Sequence, residues 1–164
     1  MTQYSTADLC DGHEQQLQVC DPLLRHFGGR REFQGEIVTL KCIKDNSLVR
    51  DVLSEPGYGK VLVVDGGGYL HCALLGDRLA ALAVENGWAG IVIYGCIRDS
   101  AQIAKLDIGV MALATHPRRS IKLGCGRRNL PLRFAGVYFT PGAYLYCDED
   151  GILLAEQALD EELE

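Results

Sequence analysis

The chain has 164 residues, of which 48% are apolar and 7% aromatic, and its formal net charge is −6. This length predicts one domain over residues 1–164 with a full hydrophobic core. The acidic balance argues against direct nucleic-acid binding, because attraction to phosphates requires a basic surface. No signal peptide is visible, and no apolar stretch reaches the ~18 residues needed to span a bilayer. We therefore expect a cytoplasmic protein that makes no membrane contact.

Seven cysteines are scattered along the chain, and none belongs to a C-x-x-C pair. An odd, scattered set is typical of reduced thiols that pack as small apolar side chains. The four histidines are equally scattered. The tight ligand spacing of a structural zinc site is therefore missing from the sequence.

The N-terminal half is predicted to contain two helices and two strands. Residues 5–6 can cap a short first helix, because a side-chain oxygen there satisfies a free backbone N–H group. Apolar residues within 33–43 indicate a strand, and the polar residues that open 45–53 predict a capped second helix. The continuous apolar run at 60–64 is typical of a strand buried on both faces.

The centre of the chain is predicted to form a strand–helix–strand crossover. Within residues 77–86, apolar side chains recur at helical spacing. The apolar run at 90–95 follows as a second buried strand, and residues 110–114 add a short third one. The order strand, helix, strand favours parallel pairing.

Three short strands are predicted in the C-terminal part, at 137–139, 144–147 and 152–154. Pro-Gly and Asp-Glu-Asp-Gly turns separate them, which indicates hairpin pairing. Residues 156–164 are predicted to form a short acidic helix. The fold class expected from these elements is α/β with a mixed β-sheet.

Two glycine-rich segments are similar to nucleotide-binding loops but lack their spacing. Gly66-Gly67-Gly68 would need another glycine where Leu70 or His71 stands to complete G-x-G-x-x-G. Gly57-Tyr58-Gly59-Lys60 lacks the first glycine and the Ser or Thr of a phosphate loop. We expect these glycines to provide positive φ angles or a close backbone approach.

Two polar pairs, Gly76-Asp77 and Arg98-Asp99, are separated by twenty residues. The first pair opens the predicted central helix, whose unpaired N–H groups and partial positive charge favour a carboxylate. The second pair follows the next predicted strand. There an arginine can grip a carboxylate with two hydrogen bonds, and an aspartate can supply an oxygen to Mg²⁺. Together the pairs would suit a divalent metal and a small keto acid.

These features also have purely structural interpretations. Asp77 can cap its own helix, and Asp99 can form an intrachain salt bridge or a helix cap.

Residues 116–136 carry six basic side chains and no acid, whereas 148–164 carry eight acids and no base. These segments suggest subunit or partner contacts, or two solvated faces. RNA binding is disfavoured, because no aromatic residue is interleaved with the basic ones.

Several short motifs, spread over nearly the whole chain, match the pattern of one protein family. They are Thr6-Ala7-Asp8-Leu9-Cys10-Asp11, Gly67-Gly68, Leu74-Leu75-Gly76-Asp77-Arg78-Leu79-Ala80, Gly87-Trp88-Ala89-Gly90, Tyr94-Gly95-Cys96-Ile97-Arg98-Asp99, His116-Pro117-Arg118, Pro141-Gly142 and Asp148-Glu149-Asp150-Gly151. On these motifs the chain resembles the family of the regulator of ribonuclease E activity A. That family also contains the divalent-metal-dependent 4-hydroxy-4-methyl-2-oxoglutarate aldolases.

The resemblance implies two alternative functions. Some members bind ribonuclease E and inhibit it, whereas others cleave a branched keto acid to two pyruvates and also decarboxylate oxaloacetate. The inhibitor members lack intact acids in the G-D-x20-R-D pattern, which is complete here from Gly76 to Asp99. The resemblance therefore favours the aldolase, a carbon–carbon lyase. A methyl-transfer role in menaquinone synthesis, an older label in this family, is supported by no adenosyl-cofactor motif.

The resemblance also implies roles for individual residues. Asp99 would bind Mg²⁺ or Mn²⁺ directly, and Arg98 would hold the substrate and polarise its keto group. Asp77 would order metal-bound water and assist proton transfer, which makes Asp77 and Arg98 the catalytic pair. The substrate carboxylate would be bound through the backbone amides of Gly76, Asp77, Arg78 and Leu79.

The implied fold is a compact sandwich of helices and mixed sheet, similar to the swivelling phosphohistidine-type domain. The implied assembly is a homotrimer with sites near subunit interfaces. Several enzyme members supply an acidic residue from a longer C-terminus, and residues 156–164 are the candidate substitute here. No lysine lies near the motif in the sequence, which argues against a Schiff-base mechanism and for an enolate stabilised by a metal and Arg98.

Overall fold

The structure, a computed structural model, describes residues 5–159. Four short helices lie in this range, and a 3₁₀ turn at Glu14–Gln16 follows the first: Thr6–His13 (α1), Ser47–Leu53 (α2), Asp77–Glu85 (α3) and Ser100–Ile103 (α4). Twelve strands lie in the same range: Leu17–Val19 (β1), Arg25–His26 (β2), Phe33–Lys41 (β3), Lys60–Asp65 (β4), Ala73–Leu75 (β5), Gly90–Ile97 (β6), Gly109–Thr115 (β7), Arg127–Arg128 (β8), Leu132–Phe134 (β9), Val137–Phe139 (β10), Tyr144–Asp148 (β11) and Gly151–Ala155 (β12).

One large mixed sheet contains ten of these strands. Its order is β1-β12-β11-β3-β4-β6-β7-β2, with β5 paired to β6 and β8 paired to β3. The central strands β3, β4, β6 and β7 are parallel neighbours, whereas the strands on both flanks pair antiparallel. The remaining two strands, β9 and β10, form a separate hairpin. The predicted α/β class with a mixed sheet is confirmed.

Burial on both faces of β4 explains its uninterrupted apolar sequence. Leu62 and Val64 lie in a core shared with α2 and α3, whereas Val61 and Val63 lie in a second core with the β9–β10 hairpin. All four side chains are fully buried. Because successive side chains of a strand point to opposite faces, a strand between two cores needs an apolar residue at every position.

The parallel crossover predicted for the centre of the chain is confirmed, since α3 lies between β4 and β6 along the chain and β4 pairs parallel with β6. The short strand β5 was not predicted. It pairs parallel with β6, so that Leu75 lies opposite Ile97 and the Arg98 amide donates to the Leu75 carbonyl at 2.9 Å. Because both strands run in one direction and end at the same level, the residues that follow them are neighbours.

The helix predicted near the N-terminus of the chain is confirmed, but the helix predicted at its C-terminus is not. Ser5 caps α1 in a capping box with Asp8. Residues 156–159 are not helical, so the predicted acidic helix is wrong there, and residues 160–164 lie outside the described range. The Leu159 amide donates to the Tyr146 hydroxyl at 2.7 Å. This bond fixes the segment along β11 instead of in a helical turn.

The cysteine side chains in residues 5–159 are mostly buried: Cys42, Cys72, Cys96 and Cys147 are buried, Cys10 and Cys20 are half-buried, and Cys125 is exposed. Burial raises the pKa of the Cys42 thiol to about 12. Such thiols stay protonated at neutral pH and pack as small apolar groups.

Within residues 5–159, no helix has the length and apolar character needed to cross a membrane.

Candidate active site

The two polar pairs meet at the ends of β5 and β6. Asp99, which follows β6, accepts a hydrogen bond at Oδ2 from the backbone amide of Asp77, the first residue of α3, at 3.1 Å. The Asp99 carboxylate thus lies against the N-terminus of α3, where unpaired N–H groups favour negative charge. The predicted proximity of the two pairs is confirmed.

This geometry corrects the structural interpretation of Asp77 and changes which helix Asp99 caps. The N-cap position of α3 is Gly76, which has no side chain to cap the helix, so Asp77 does not cap its own helix. Asp99 precedes α4 but its side chain does not cap that helix either. Instead it caps α3, from another part of the chain. The Asp77 amide is therefore already used by Asp99. The amides of Arg78 and Leu79, which were also predicted to bind substrate, lie in the first turn of α3, where a helix offers no intrahelical acceptor.

The backbone of Asp99 is in the left-handed region, with φ 56° and ψ 39°. Aspartate tolerates this conformation better than most residues, but it still costs on the order of 1 kcal/mol. The conformation turns the chain between β6 and α4 at the residue whose carboxylate reaches α3. Unusual backbone angles of this kind are concentrated at binding and catalytic sites.

Gly76 permits the close approach of Asp99 to α3. A Cβ atom at Gly76 would lie 2.9 Å from Asp99 Oδ2 and 3.6 Å from Arg98 Nε. Side-chain atoms do not pack at 2.9 Å, so an alanine would displace the carboxylate. The glycine is needed for space, because its φ of −121° is open to any residue.

The guanidinium of Arg98 is available for an anion. Its one hydrogen bond among residues 5–159 is a long contact of 3.5 Å from Nη1 to the Pro117 carbonyl. The ion pairs in this part of the chain join Arg30 to Asp107 and Arg128 to Glu55, and neither involves Arg98. The salt-bridge interpretation of the Arg98-Asp99 pair is therefore wrong, and a half-buried arginine lies beside Asp99 with most of its donors unused.

A cleft of about 420 Å³ contains all of the predicted site residues. Its walls carry five cationic side chains and two carboxylates, so a small ligand with more than one negative charge matches its electrostatics. The lining residues are Asn46, Arg50, Ala73, Gly76, Asp77, Arg78, Leu79, Arg98, Asp99, Arg119, Ser120 and Lys122.

Five polar residues of this lining were missed in the sequence: Asn46, Arg50, Arg119, Ser120 and Lys122. Asn46 is buried and links two elements, because its Nδ2 donates to the Leu74 carbonyl at 3.1 Å and its Oδ1 accepts from Lys122 Nζ at 3.0 Å. Ser120 is 5% exposed, and its hydroxyl has no hydrogen-bond partner within the described residues. A buried hydroxyl without a partner is costly, which indicates a ligand or water at this wall of the cleft.

The position of Lys122 corrects an inference from the sequence. No lysine is close to Arg98-Asp99 along the chain, but the fold brings Lys122 into the same cleft. The absence of a lysine near the motif in the sequence is therefore no longer an argument against a Schiff-base mechanism. What the structure shows for Lys122 is a polar environment: its Nζ donates to Asn46, and Arg50 and Arg119 line the same cleft. The Lys122 side chain is exposed, so its amine is not desolvated, which is one of the two ways in which Schiff-base lysines are activated.

The carboxylates fit a divalent cation held through one direct protein ligand. Within residues 5–159, no three His, Cys, Asp or Glu side chains form a group that could hold a metal ion. A closed site of zinc type is therefore not built here. Mg²⁺, in contrast, commonly binds through one or two carboxylates and keeps several waters. Asp99 suits that mode, because it is exposed and its Oδ1 has no hydrogen-bond partner in the described part of the chain.

A larger cleft of about 840 Å³ lies elsewhere, between the 3₁₀ turn and the end of β12. Among the described residues, its lining includes Glu156 and no lysine or arginine. None of the predicted site residues borders it, and its charge does not match an anionic ligand. The charged residues of the smaller cleft, and not its volume, therefore identify it as the candidate site.

Comparison with known proteins agrees with this architecture. Residues 6–154 match the model of a family described as "RraA-like: Aldolase/RraA". The chain belongs to the RraA-like family. A relative from Azotobacter vinelandii is 57% identical over 157 residues, which cover 96% of this chain and 97% of the relative. A relative from Alkalilimnicola ehrlichii is 55% identical over 154 residues, 94% of this chain and 96% of the relative. Both are named "Putative 4-hydroxy-4-methyl-2-oxoglutarate aldolase".

Two solved structures of RraA-like proteins have the same fold. One, named S-adenosylmethionine:2-dimethylmenaquinone methyltransferase, is from Geobacillus kaustophilus. It is 51% identical with a TM-score of 0.93 and covers 95% of this chain and 97% of its own. The other, named the RNA-processing inhibitor RraA, is from Thermus thermophilis. It is 44% identical with a TM-score of 0.93 and covers 96% of each chain. Three different activities are thus attached to proteins of one fold, so the site must decide between them.

Proposed function

We propose that this RraA-like protein is a divalent-metal-dependent lyase that cleaves 4-hydroxy-4-methyl-2-oxoglutarate to two pyruvates, with decarboxylation of oxaloacetate as a secondary activity. The observation that carries the proposal is the contact of Asp99 with the N-terminus of α3, beside the unpaired Arg98. The aldolase names of relatives that are more than half identical support it.

The cleft matches the charge of both substrates, because each carries two carboxylates. Arg98 is placed to grip the carboxylate next to the keto group, with two parallel hydrogen bonds. The free amides in the first turn of α3 offer further donors to the same carboxylate. The second carboxylate would bind to the cationic wall of the cleft, which contains Arg119 and Lys122. Two anchored carboxylates fix the orientation of the bond that breaks.

Cleavage requires removal of the proton from the C4 hydroxyl. As that proton leaves, the C3–C4 bond breaks and its electron pair moves to the C2 keto oxygen. The products are one pyruvate and the enolate of a second, which takes up a proton at C3. We assign the base to Asp77, acting directly or through a water molecule, because its carboxylate lines the cleft and has no hydrogen bond or ion pair among residues 5–159.

Negative charge on the C2 oxygen is the main barrier to this reaction. Arg98 follows β6 and lines the cleft, so its guanidinium would stabilise this charge, and electrostatic stabilisation of this kind usually gives the largest contribution. A divalent cation bound at Asp99 would supply Lewis-acid stabilisation of the same charge. Decarboxylation of oxaloacetate releases CO₂ and leaves the same pyruvate enolate, so one site serves both reactions.

The test is pyruvate release by the purified protein from each of the two substrates, followed with a coupled dehydrogenase. The proposal expects turnover of both. A folded protein that releases pyruvate from neither substrate would refute it.

Inhibition of ribonuclease E is the second candidate function, and the 44% identity to the RNA-processing inhibitor RraA supports it. That function would need no carboxylates in the cleft, and the Asp99–Asp77 contact would then serve only as a cap of α3. A pull-down with purified ribonuclease E and an RNA-cleavage assay test it. Binding that survives Asp99→Asn, without pyruvate release by the wild type, would favour the inhibitor.

Methyl transfer is a poor match for this cleft. S-Adenosylmethionine carries a sulfonium cation and an adenine ring, which call for acceptors of positive charge and for aromatic or apolar walls. The described lining is predominantly cationic and contains no aromatic side chain. The methyltransferase name of one structural neighbour therefore does not extend to this chain.

We further propose that the protein assembles as a homotrimer in the cytoplasm. Large apolar side chains are exposed on loops, two of them next to the cleft residues Ser120 and Lys122, which supports coverage by another subunit. They are Ile43 (48% exposed), Leu70 (49%), Ile121 (52%) and Leu123 (73%). Light scattering during size-exclusion chromatography would measure the number of subunits.

A further inference from the structure

Asp45 is a buried carboxylate whose two oxygens are both used by the protein. It is 1% exposed. Oδ1 accepts from the Ser47 amide at 2.8 Å and from the Ser47 hydroxyl at 2.6 Å. Oδ2 accepts from the amides of Leu123 at 2.7 Å and Cys125 at 3.1 Å. An unpaired buried charge would be very costly, so this network is required for Asp45 to remain ionised.

The network joins the segment before α2 to residues 119–125, which we name the basic loop. Further bonds reinforce the junction: the Ile121 amide donates to the Lys44 carbonyl at 2.8 Å, and the Gly124 amide donates to the Ser47 hydroxyl at 3.1 Å. The basic loop supplies one wall of the cleft through Arg119, Ser120 and Lys122.

Within one subunit, hydrogen bonds and not burial hold the outer part of the basic loop. Its two large apolar side chains, Ile121 and Leu123, are 52% and 73% exposed. The loop therefore gains little from the hydrophobic effect. Among residues 5–159, Asp45 is the buried carboxylate that accepts hydrogen bonds from this loop, and charged acceptors make stronger hydrogen bonds than neutral ones.

We propose that Asp45 is a positioning residue, which holds the basic loop against the cleft so that Lys122 and Arg119 reach the substrate. The proposal rests on the proposed function for the identity of that substrate. Asp45 itself does not line the cleft. It acts through the loop, and its loss would weaken substrate binding without removing any group that reacts.

Asp148 offers a matched control at the opposite end of the sheet. It too accepts several hydrogen bonds, from the Thr6 amide at 2.7 Å, the Thr6 hydroxyl at 2.7 Å and the Asp150 amide at 2.9 Å. Its neighbour Cys147 pairs with Phe33 at the start of β3, whereas Asp45 follows the end of β3. Loss of either carboxylate should reduce stability, but Asp45 alone should affect the cleft.

The experiment compares Asp45→Asn, Asp148→Asn and wild type at a temperature where all three are folded by circular dichroism. Asp45→Asn should raise KM for 4-hydroxy-4-methyl-2-oxoglutarate by about tenfold with a smaller change in kcat, because the loop binds ground and transition states alike. Native trypsin digestion should also cut faster after Lys122 and Arg119, since cleavage requires the loop to open. Asp148→Asn should change neither measurement.

The outcomes separate this proposal from the proposed function. Unchanged KM and unchanged loop cleavage in Asp45→Asn would overturn the positioning role, even if the enzyme is active. If the wild type has no aldolase activity, the proposed function fails, while selective cleavage of the loop in Asp45→Asn still establishes the anchor. Should Asp45→Asn not fold, Ser47→Ala removes the Gly124 contact and should give a smaller change in the same two measurements.

Discussion

Asp99 accepts a hydrogen bond from the backbone amide of Asp77 at 3.1 Å, although the two residues are 22 positions apart. This contact places a carboxylate at the N-terminus of α3 and leaves its second oxygen without a partner in residues 5–159. It also puts Arg98, whose guanidinium forms no ion pair in that range, at the edge of the same cleft. The proposed lyase function depends on this relationship.

Arg98→Lys should lower kcat/KM for 4-hydroxy-4-methyl-2-oxoglutarate by about 100-fold, because lysine cannot make two parallel hydrogen bonds to a carboxylate or stabilise the enolate in the same geometry. Steady-state pyruvate release measures the effect. The half-buried Arg30, which pairs with Asp107 away from the cleft, offers a control in Arg30→Lys with little expected change. Equal kinetics for wild type and Arg98→Lys would remove the carboxylate-binding role of Arg98.

Gly76→Ala should reduce activity about tenfold or more while the protein stays folded. The new Cβ would lie 2.9 Å from Asp99 Oδ2 and push the carboxylate away from α3, and misplacement of a catalytic group is costly. Gly95→Ala in β6 is the control, because its Cβ would meet its nearest neighbours at an ordinary 3.5 Å. Full activity of Gly76→Ala, with the melting temperature unchanged, would show that Asp99 need not touch α3.

Lys122 should not form a covalent intermediate. Incubation with pyruvate and sodium borohydride, followed by mass spectrometry, is expected to give no adduct on the intact protein. Lys122→Arg keeps the positive charge and should retain activity within about tenfold, since charge alone is needed to attract a carboxylate. A reduced adduct on Lys122, together with an inactive Lys122→Arg, would assign the protein to the Schiff-base aldolases.

Asp45 should make the protein sensitive to acid. Burial alone would raise the pKa of this carboxyl, but the hydrogen bonds from Ser47, Cys125 and Leu123 outweigh it and lower the pKa to about 2, from an ordinary 3.8. A lowered folded-state pKa stabilises the fold above the unfolded pKa, and that contribution is lost as the pH falls from about 4 to 2.

The measurement is urea unfolding of wild type and Asp45→Asn at several pH values. The difference between their free energies of unfolding should be largest above pH ~4 and should narrow toward pH ~2. Hydrogen bonds also lower the pKa values of Asp148 and Glu55, but these groups are present in both proteins and cancel in the difference. A difference in the free energy of unfolding that stays constant between pH ~4 and pH ~2 would contradict the lowered pKa of Asp45.

The sequence predicted the elements that have a periodic pattern. The run at 60–64 and the amphipathic spacing in 77–86 were recognised because burial on two faces, or on one, leaves a repeat in the sequence. The strand β5 was missed because three residues are too few to show a repeat. Yet β5 is the element that sets Gly76 beside Asp99.

The site was predicted only where its residues adjoin such elements. Asp77 opens the predicted helix over residues 77–86, and Arg98 follows the predicted strand over residues 90–95. Asn46, Ser120 and Lys122, in contrast, enter the cleft because the Asp45 network folds the basic loop back onto the segment before α2. Long-range side-chain-to-backbone hydrogen bonds have no spacing rule, so the sequence alone did not indicate the cationic wall.

The most direct test of the account is pyruvate release from 4-hydroxy-4-methyl-2-oxoglutarate by wild type and Asp99→Asn, each with Mg²⁺ and with a chelator. Asparagine keeps the left-handed backbone and an acceptor for the Asp77 amide, so only the charge is lost. We predict metal-dependent release by wild type and none above background by Asp99→Asn. Release that persists with the chelator, or in Asp99→Asn with Mg²⁺, would contradict the role of Asp99 as the metal ligand.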